Sequence, residues 1–303
     1  MQEIIEKINK LKKERKAIVL AHCYQNVEID LVADYVGDSL GLSKIAAKTD
    51  AEIIVFAGVY FMAETAKILS PNKKVLLPNM NSGCQMAQMI DLVRMQEFKA
   101  QHPNVPVVCY VNSTAEVKAQ ADICCTSSNA VDIVRSLGVK KVLFAPDCYL
   151  GSWVAKKLPD VEIISYNGFC PTHLRLIPDE VKKMRILYPD AAVLMHPECH
   201  QEVVKLADFV GSTTQIMQYC ERSKKKTFLI GTEKGVVDRL SRDFPEKEFI
   251  LISDRLVCHN MKYNTLEDIL YVLETGENEV FVEENLRKLA YGAIERMVET
   301  RVN

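Results

Sequence analysis

AIVLAHCYQNVEIDLVADYVGDSLGLSKIAAK, residues 17–48, begins with a short apolar run that closes on His22, passes an Ala-Asp pair, and enters a helical stretch. The pattern returns twice. Ala33-Asp34, Ala121-Asp122 and Ala207-Asp208 stand 88 and then 86 residues apart, and the same offsets carry His22 to Tyr110 to His196, Tyr24 to Asn112 to Glu198, and Ser39 to Ser127 to Thr213. One register fits every column, so the chain is a threefold repeat. Cys84, Cys170 and Cys258 follow at 86 and then 88, which places a two-residue deletion in the second copy ahead of its cysteine.

Each copy starts with a continuous apolar run, AIVLAH at 17–22, VPVVCY at 105–110 and AAVLMH at 191–196, as expected of a parallel strand buried on both faces. A second run follows in IIVFAG, KVLFAP and TFLIGT, and a third in KVLLPN, VEIISY and EFILIS just before the cysteine. LSKIAAK, AVDIVRSLG and TQIMQYCERSK between the runs carry helical spacing. The expected fold class is α/β, three homologous β-α-β-α-β units with parallel sheets and right-handed crossovers. Units of this size are marginal alone, so they are expected to pack as a pseudo-threefold triangle, with boundaries at 16–88, 89–174 and 175–264. The terminal segments 1–15 and 265–303 are expected as helices on the first unit, the latter with Val282, Leu286, Leu289, Ala293 and Met297 on one face.

Composition narrows the function classes. Lys plus Arg is 38 against 40 for Asp plus Glu, a formal charge of -2, so no global field draws nucleic acid or anionic membrane. No apolar run reaches the roughly 18 residues of a membrane span, and the first residues lack a signal-peptide core; a cytoplasmic protein is expected. Ten cysteines with no CxxC pair argue against zinc ribbons, thioredoxin-type centres and ferredoxin-type clusters.

The polar columns all fall at the carboxyl ends of the strands, where open parallel sheets bind ligands. Ser39, Ser127 and Thr213 stand at helix starts. Such residues cap helices for stability alone, but three converging N-termini also favour an anion, by about 0.3–1 kcal/mol each. The three cysteines close the third strand of each unit. A lone cysteine there is usually a small core residue, whereas three brought together by the repeat would repel as thiolates unless a metal neutralised them. Soft thiolates suit zinc and iron–sulfur clusters alike. A zinc-stabilised repeat protein that binds a metabolite and a hydro-lyase of the aconitase type both remain open on these residues alone.

AHCYQ at 21–25, GDSL at 37–40, NSGCQMA at 81–87, CYVNS at 109–113, TSSNA at 126–130, GFCPTH at 168–173, HPEC at 196–199 and GSTTQI at 211–216 together resemble the quinolinate synthase family over nearly the whole chain. The resemblance implies three α/β domains around one 4Fe-4S cluster held by Cys84, Cys170 and Cys258. It also implies condensation of iminoaspartate with dihydroxyacetone phosphate to quinolinate, phosphate and water, in NAD biosynthesis, with an aspartate-oxidising enzyme as supplier of iminoaspartate. Carried over position by position, His22, Ser39, Tyr110, Asn112, Ser127, His173, His196, Glu198 and Thr213 would bind substrate. Glu198, Tyr24 and His22 would be catalytic, Glu198 as a general base tuned toward neutral pH. Cys258 is followed by His259, Asn260 and Met261, so the CxxC disulfide of some members is not expected.

Overall fold

The computed structural model describes residues 1–300. Twelve strands form three sheets of four. The first sheet holds β1 (Ala17–His22), β2 (Tyr35–Gly37), β3 (Ile53–Ala57) and β4 (Lys74–Leu76). The second holds β5 (Val107–Tyr110), β6 (Ile123–Cys125), β7 (Lys141–Ala145) and β8 (Glu162–Ser165), and the third β9 (Ala192–Met195), β10 (Phe209–Val210), β11 (Thr227–Gly231) and β12 (Glu248–Leu251). Every pairing is parallel, and each sheet follows the order second, first, third, fourth strand. The α/β class and the three homologous units stand as read from the sequence, with one strand more per unit. β2, β6 and β10 are only two or three residues long, too short to show a period.

The Ala-Asp column explains why the register is so well kept. In each unit the aspartate opens the second strand and its carboxylate accepts the backbone N–H of the first: Val19 to Asp34 at 2.7 Å, Val107 to Asp122 at 2.7 Å and Val193 to Asp208 at 2.8 Å. The aspartate's own N–H returns to the carbonyl of the same valine. One residue thereby fixes the pairing of an edge strand that is too short to hold itself by side-chain burial.

One continuous core joins residues of all three units, including Phe56, Phe144 and Phe228 from the third strand of each. Two smaller cores lie outside it. One packs the helices Gln2–Glu14 and Leu266–Thr275 on the outer face of the first sheet through Ile8, Ile269 and Leu273, and the other covers the outer face of the third sheet. The last helix, Glu284–Glu299, departs from expectation. It lies against β6 and the helix Ala115–Lys118 of the second unit as well as the helix Tyr60–Leu69 of the first, so it bridges two units. Its buried face is Ala290, Ala293, Ile294 and Met297, while Leu289 is 64% exposed. The seam between two units, not one sheet, sets which face of the helix is covered.

Candidate functional site

The carboxyl ends of the three sheets open on one cavity. β1 and β5 deliver His22 and Tyr110 as their last residues, and His196 follows β9 directly. Tyr24, Asn112 and Glu198 stand two residues further on in each unit. All six line the cavity, as do Ser39, Ser127, Thr213, His173, Cys84, Cys170 and Cys258. Every residue singled out from the sequence is therefore in one place.

The helix starts refine the capping reading. Ser39 and Thr213 are the first helical residues, and the caps are their predecessors: Asp38 accepts the Gly41 N–H at 2.9 Å, and Ser212 accepts that of Gln215 at 3.3 Å. Ser127 precedes a helix whose N-cap position is Asn129, whose side chain turns back to Thr126 and makes no cap bond. The hydroxyls in the repeat column are thus relieved of capping and face the cavity. The starts also touch one another, through Thr214 Oγ1 to Asp38 Oδ2 at 2.8 Å and Gln215 Nε2 to the Ser128 carbonyl at 3.4 Å.

His22 and His196 are set alike. Nδ1 of each accepts the backbone N–H two residues on, from Tyr24 at 3.2 Å and from Glu198 at 3.3 Å, which leaves the ring proton on Nε2. Burial holds both rings neutral, down to about 3. Each accordingly offers one N–H donor to a ligand. Asn112 Oδ1 is buried with no partner in the protein, a group that a ligand donor would satisfy.

A chain of hydrogen bonds crosses the cavity wall. Thr213 Oγ1 meets Tyr24 Oη at 2.8 Å, Tyr24 Oη meets Thr232 Oγ1 at 3.0 Å, and Thr232 Oγ1 meets His173 Nε2 at 2.9 Å. His173 Nδ1 lies 2.8 Å from Glu198 Oε2, and Tyr110 donates to Glu198 Oε1 at 2.6 Å. The His196 ring stacks on His173 at 4.6 Å. All three units contribute. Burial opposes the charge on Glu198, but His196, His173 and the Tyr110 hydroxyl outweigh it and hold the carboxyl down at about 2. The expectation of a carboxylate tuned toward neutral pH is thereby corrected: donors from both sides stabilise the anion. Burial and that same anion push the Tyr24 and Tyr110 phenols well up, so both keep their protons.

The cysteines sit in three equivalent settings. Each comes just before a short helical turn, and the N–H of the residue three further on, Ala87, His173 or Met261, favours the charged form of the sulfur. Burial outweighs this and pushes all three thiols up, Cys84 to about 12. Among the described residues, the set of three possible ligand atoms within 4.8 Å of one another is Cys170, His173 and Glu198; the three sulfurs do not form such a set. The donor set fits an iron–sulfur enzyme.

Sequence comparison accords with this construction. The sequence model described as NadA, quinolinate synthetase A protein, matches residues 6–299. The chain belongs to the quinolinate synthase family. It is 53% identical over 298 residues to the quinolinate synthase of Alkaliphilus metalliredigens (strain QYMF), covering 98% of both chains. It is 53% identical over 295 residues to that of Dehalococcoides mccartyi (strain CBDB1), with 97% of each covered, and 49% identical over 295 residues to that of Clostridium kluyveri, again with 97% of each. Identity spread over the full length makes this chain an enzyme of the quinolinate synthase type. Among the described residues no helix is long and apolar enough to cross a membrane.

Several participants escaped the sequence reading. Thr232 joins Tyr24 to His173, and Glu233, Asn260 and Arg175 line the cavity. A signal for Glu233 existed: KVLFAPD and TFLIGTE put an acid at the same repeat position, Asp147 and Glu233. Cys23 and Cys199 are buried, and neither they nor Cys148 lines the cavity.

Proposed function

We propose that this enzyme condenses iminoaspartate with dihydroxyacetone phosphate to quinolinate, phosphate and water, with Cys84, Cys170 and Cys258 holding one 4Fe-4S cluster among units 16–88, 89–174 and 175–264. The observation that carries this reading is the hydrogen-bond chain Thr213–Tyr24–Thr232–His173–Glu198–Tyr110, which passes against one of the three cysteines: His173 Nδ1 is 3.2 Å from Cys170 Sγ. Three thiolates leave one of four irons without a protein ligand, and such an iron supplies a Lewis acid.

The chain's own residues divide the remaining work. The Nε2–H groups of His22 and His196, the hydroxyls of Ser39, Ser127 and Thr213, and the Asn112 amide are donors for substrate carboxylate and phosphate oxygens. His22, His196 and Thr213 are buried and Ser39, Ser127 and Asn112 half-buried, so each interaction is stronger than it would be in water. Glu198 is ionised and takes a proton from substrate transiently. Tyr110 donates to one of its oxygens and His173 Nδ1 lies against the other, so the two hold the carboxylate in place to accept it. Tyr24 keeps its proton and delivers it to a departing hydroxyl, with Thr232 and His173 able to resupply the phenol. His22, against which the Tyr24 ring packs edge-on at 4.6 Å, orients that phenol. An aspartate-oxidising enzyme is the partner that would supply iminoaspartate.

Anaerobic purification tests the assignment. A brown protein with iron and sulfide near four each per chain, forming quinolinate from the two substrates, is the expected result. A colourless protein with stoichiometric zinc, or a cluster protein that dehydrates hydroxy acids but forms no quinolinate, would overturn it.

A further inference from the structure

Residues 23–25 leave the end of β1 and turn three successive carbonyls toward the third unit. Arg239 Nη1 donates to the Cys23 carbonyl at 2.6 Å and to that of Gln25 at 3.0 Å, and Lys262 Nζ donates to that of Tyr24 at 2.5 Å. Each cation meets an acid: Asp30, shared with Arg242, for Arg239 at 2.5 Å, and the buried Glu233 for Lys262 at 3.2 Å. Glu233 is fully buried and does more. It accepts the Gly235 N–H at 2.6 Å, capping the helix Lys234–Asp243, and the Cys258 N–H at 3.2 Å. A Cβ on Gly235 would lie 2.7 Å from the Cys23 carbonyl oxygen and 3.0 Å from Tyr24 Cα, so the helix start and the Tyr24 segment meet backbone to backbone.

Tyr24 belongs to the first unit by sequence but to the third by its contacts. Its hydroxyl bonds Thr213 and Thr232, and its carbonyl bonds Lys262. The repeat shows that the fold does not require this arrangement. At the register of Glu233 the first unit has Val59 and the second has Asp147, which caps its helix through Tyr149 and Leu150 at 2.8 Å each and pairs with no cation among the described residues. A buried ion pair contributes little or nothing to stability against apolar alternatives, and Val59 is such an alternative in the same sheet position. The charges in the third unit serve something its sisters lack.

We propose that Glu233 and Lys262 are positioning residues, a clamp that couples the Cys258 loop to the Tyr24 segment so that a bound centre and the placement of the phenol are set together. The inference rests on the reading of Cys258 as a ligand and of Tyr24 as the proton donor. Glu233 holds the Cys258 backbone directly and the Tyr24 backbone through Lys262. Movement of the cysteine on gaining or losing iron is therefore transmitted to the Tyr24 backbone, and so to the phenol, through three contacts: Cys258 N–H to Glu233, Glu233 to Lys262, and Lys262 to the Tyr24 carbonyl.

The test uses the full chain as Lys262→Met, Glu233→Gln and the double variant. Iron-loaded Lys262→Met should lose about 100-fold in kcat with KM changed by less than about threefold, because a misplaced group costs rate more than binding. The double variant leaves no lone buried charge, so its melting temperature should recover toward wild type while kcat stays low; recovery of both would mean the pair is only structural. Hydrogen exchange of residues 23–26 supplies a readout independent of turnover. In wild type, stripping the iron should raise it, whereas in Lys262→Met it should already be high and iron removal should add nothing. Wild-type protein that binds no iron would overturn the functional reading. Iron-loaded wild type whose exchange at 23–26 ignores iron removal, or a Lys262→Met enzyme with wild-type kcat, would overturn the clamp alone.

Discussion

Tyr110, at the end of a strand in the second unit, donates its hydroxyl hydrogen to Glu198 of the third at 2.6 Å, and the two residues are 88 positions apart. The bond joins two units across the cavity. His173 approaches the other carboxylate oxygen, so Glu198 is fixed from both sides, and its ionisation and orientation depend on neighbours from elsewhere in the sequence.

Glu198→Gln removes the charge that Tyr110 and His173 face and replaces one acceptor oxygen by an NH2 donor. We expect kcat for quinolinate formation to fall by about 10²–10⁴-fold, the range for losing a general acid–base group, with visible absorption of the iron–sulfur centre unchanged. Loss of that absorption would show that the residue only supports the fold. Tyr110→Phe removes one donor and should cost less than Glu198→Gln in the same assay.

Cys84→Ser, Cys170→Ser and Cys258→Ser should each lower bound iron and sulfide sharply, measured on anaerobically purified protein. Cys220→Ser is the control. Cys220 is fully buried in the core and lines no part of the cavity, so iron content should stay at the wild-type level.

Acid should weaken the metal-free fold earlier than carboxylates alone would allow. Burial lowers His22 and His196 to about 3 from the ordinary 6.5. The unfolded chain therefore takes up two protons that the folded one refuses as pH drops below about 6.5, and stability falls with pH down to the folded values. Two protons give a slope of roughly 2.7 kcal/mol per pH unit. Urea midpoints at pH 7, 6 and 5 measure it. His196→Gln should be about half as steep, and an unchanged slope would show that the ring is protonated in the folded state. Glu198, lowered to about 2, adds a loss of the same sign only below its unfolded value near 4.5.

Asp122→Ala leaves the Val107 N–H without its 2.7 Å acceptor at the start of β5. A cost of about 1–3 kcal/mol is expected, the penalty for a backbone donor deprived of its partner, read as a lower melting temperature. Asp34→Ala and Asp208→Ala should behave alike, since the same bond recurs in each unit. A substitution at Asp132, whose side chain pairs with the half-exposed Arg135 three residues on, should change the melting temperature far less.

What the sequence determined alone was the plan: three units in one register, and a set of polar residues and cysteines at strand ends. These followed because a parallel strand buried on both faces must be a continuous apolar run, and because a repeat puts equivalent residues in equivalent places. The Ala-Asp column was visible as a repeat marker, but its purpose was not: the bonds from its carboxylates to the first strands appear only in the folded units. The tertiary structure decided what the repeat could not encode, namely contacts where the units differ. Leu289 has helical spacing with the core residues yet faces outward, because the last helix lies in a seam between units. Glu198 looked like a base tuned toward neutrality, but Tyr110 and His173 converge on it and stabilise its charge. Thr232 and Lys262 carry no motif; they matter because folding sets one beside the Tyr24 hydroxyl and the other on its carbonyl. Spacing along a chain reports which residues share a face, whereas the protonation and placement of a buried group depend on what packs against it from the other units.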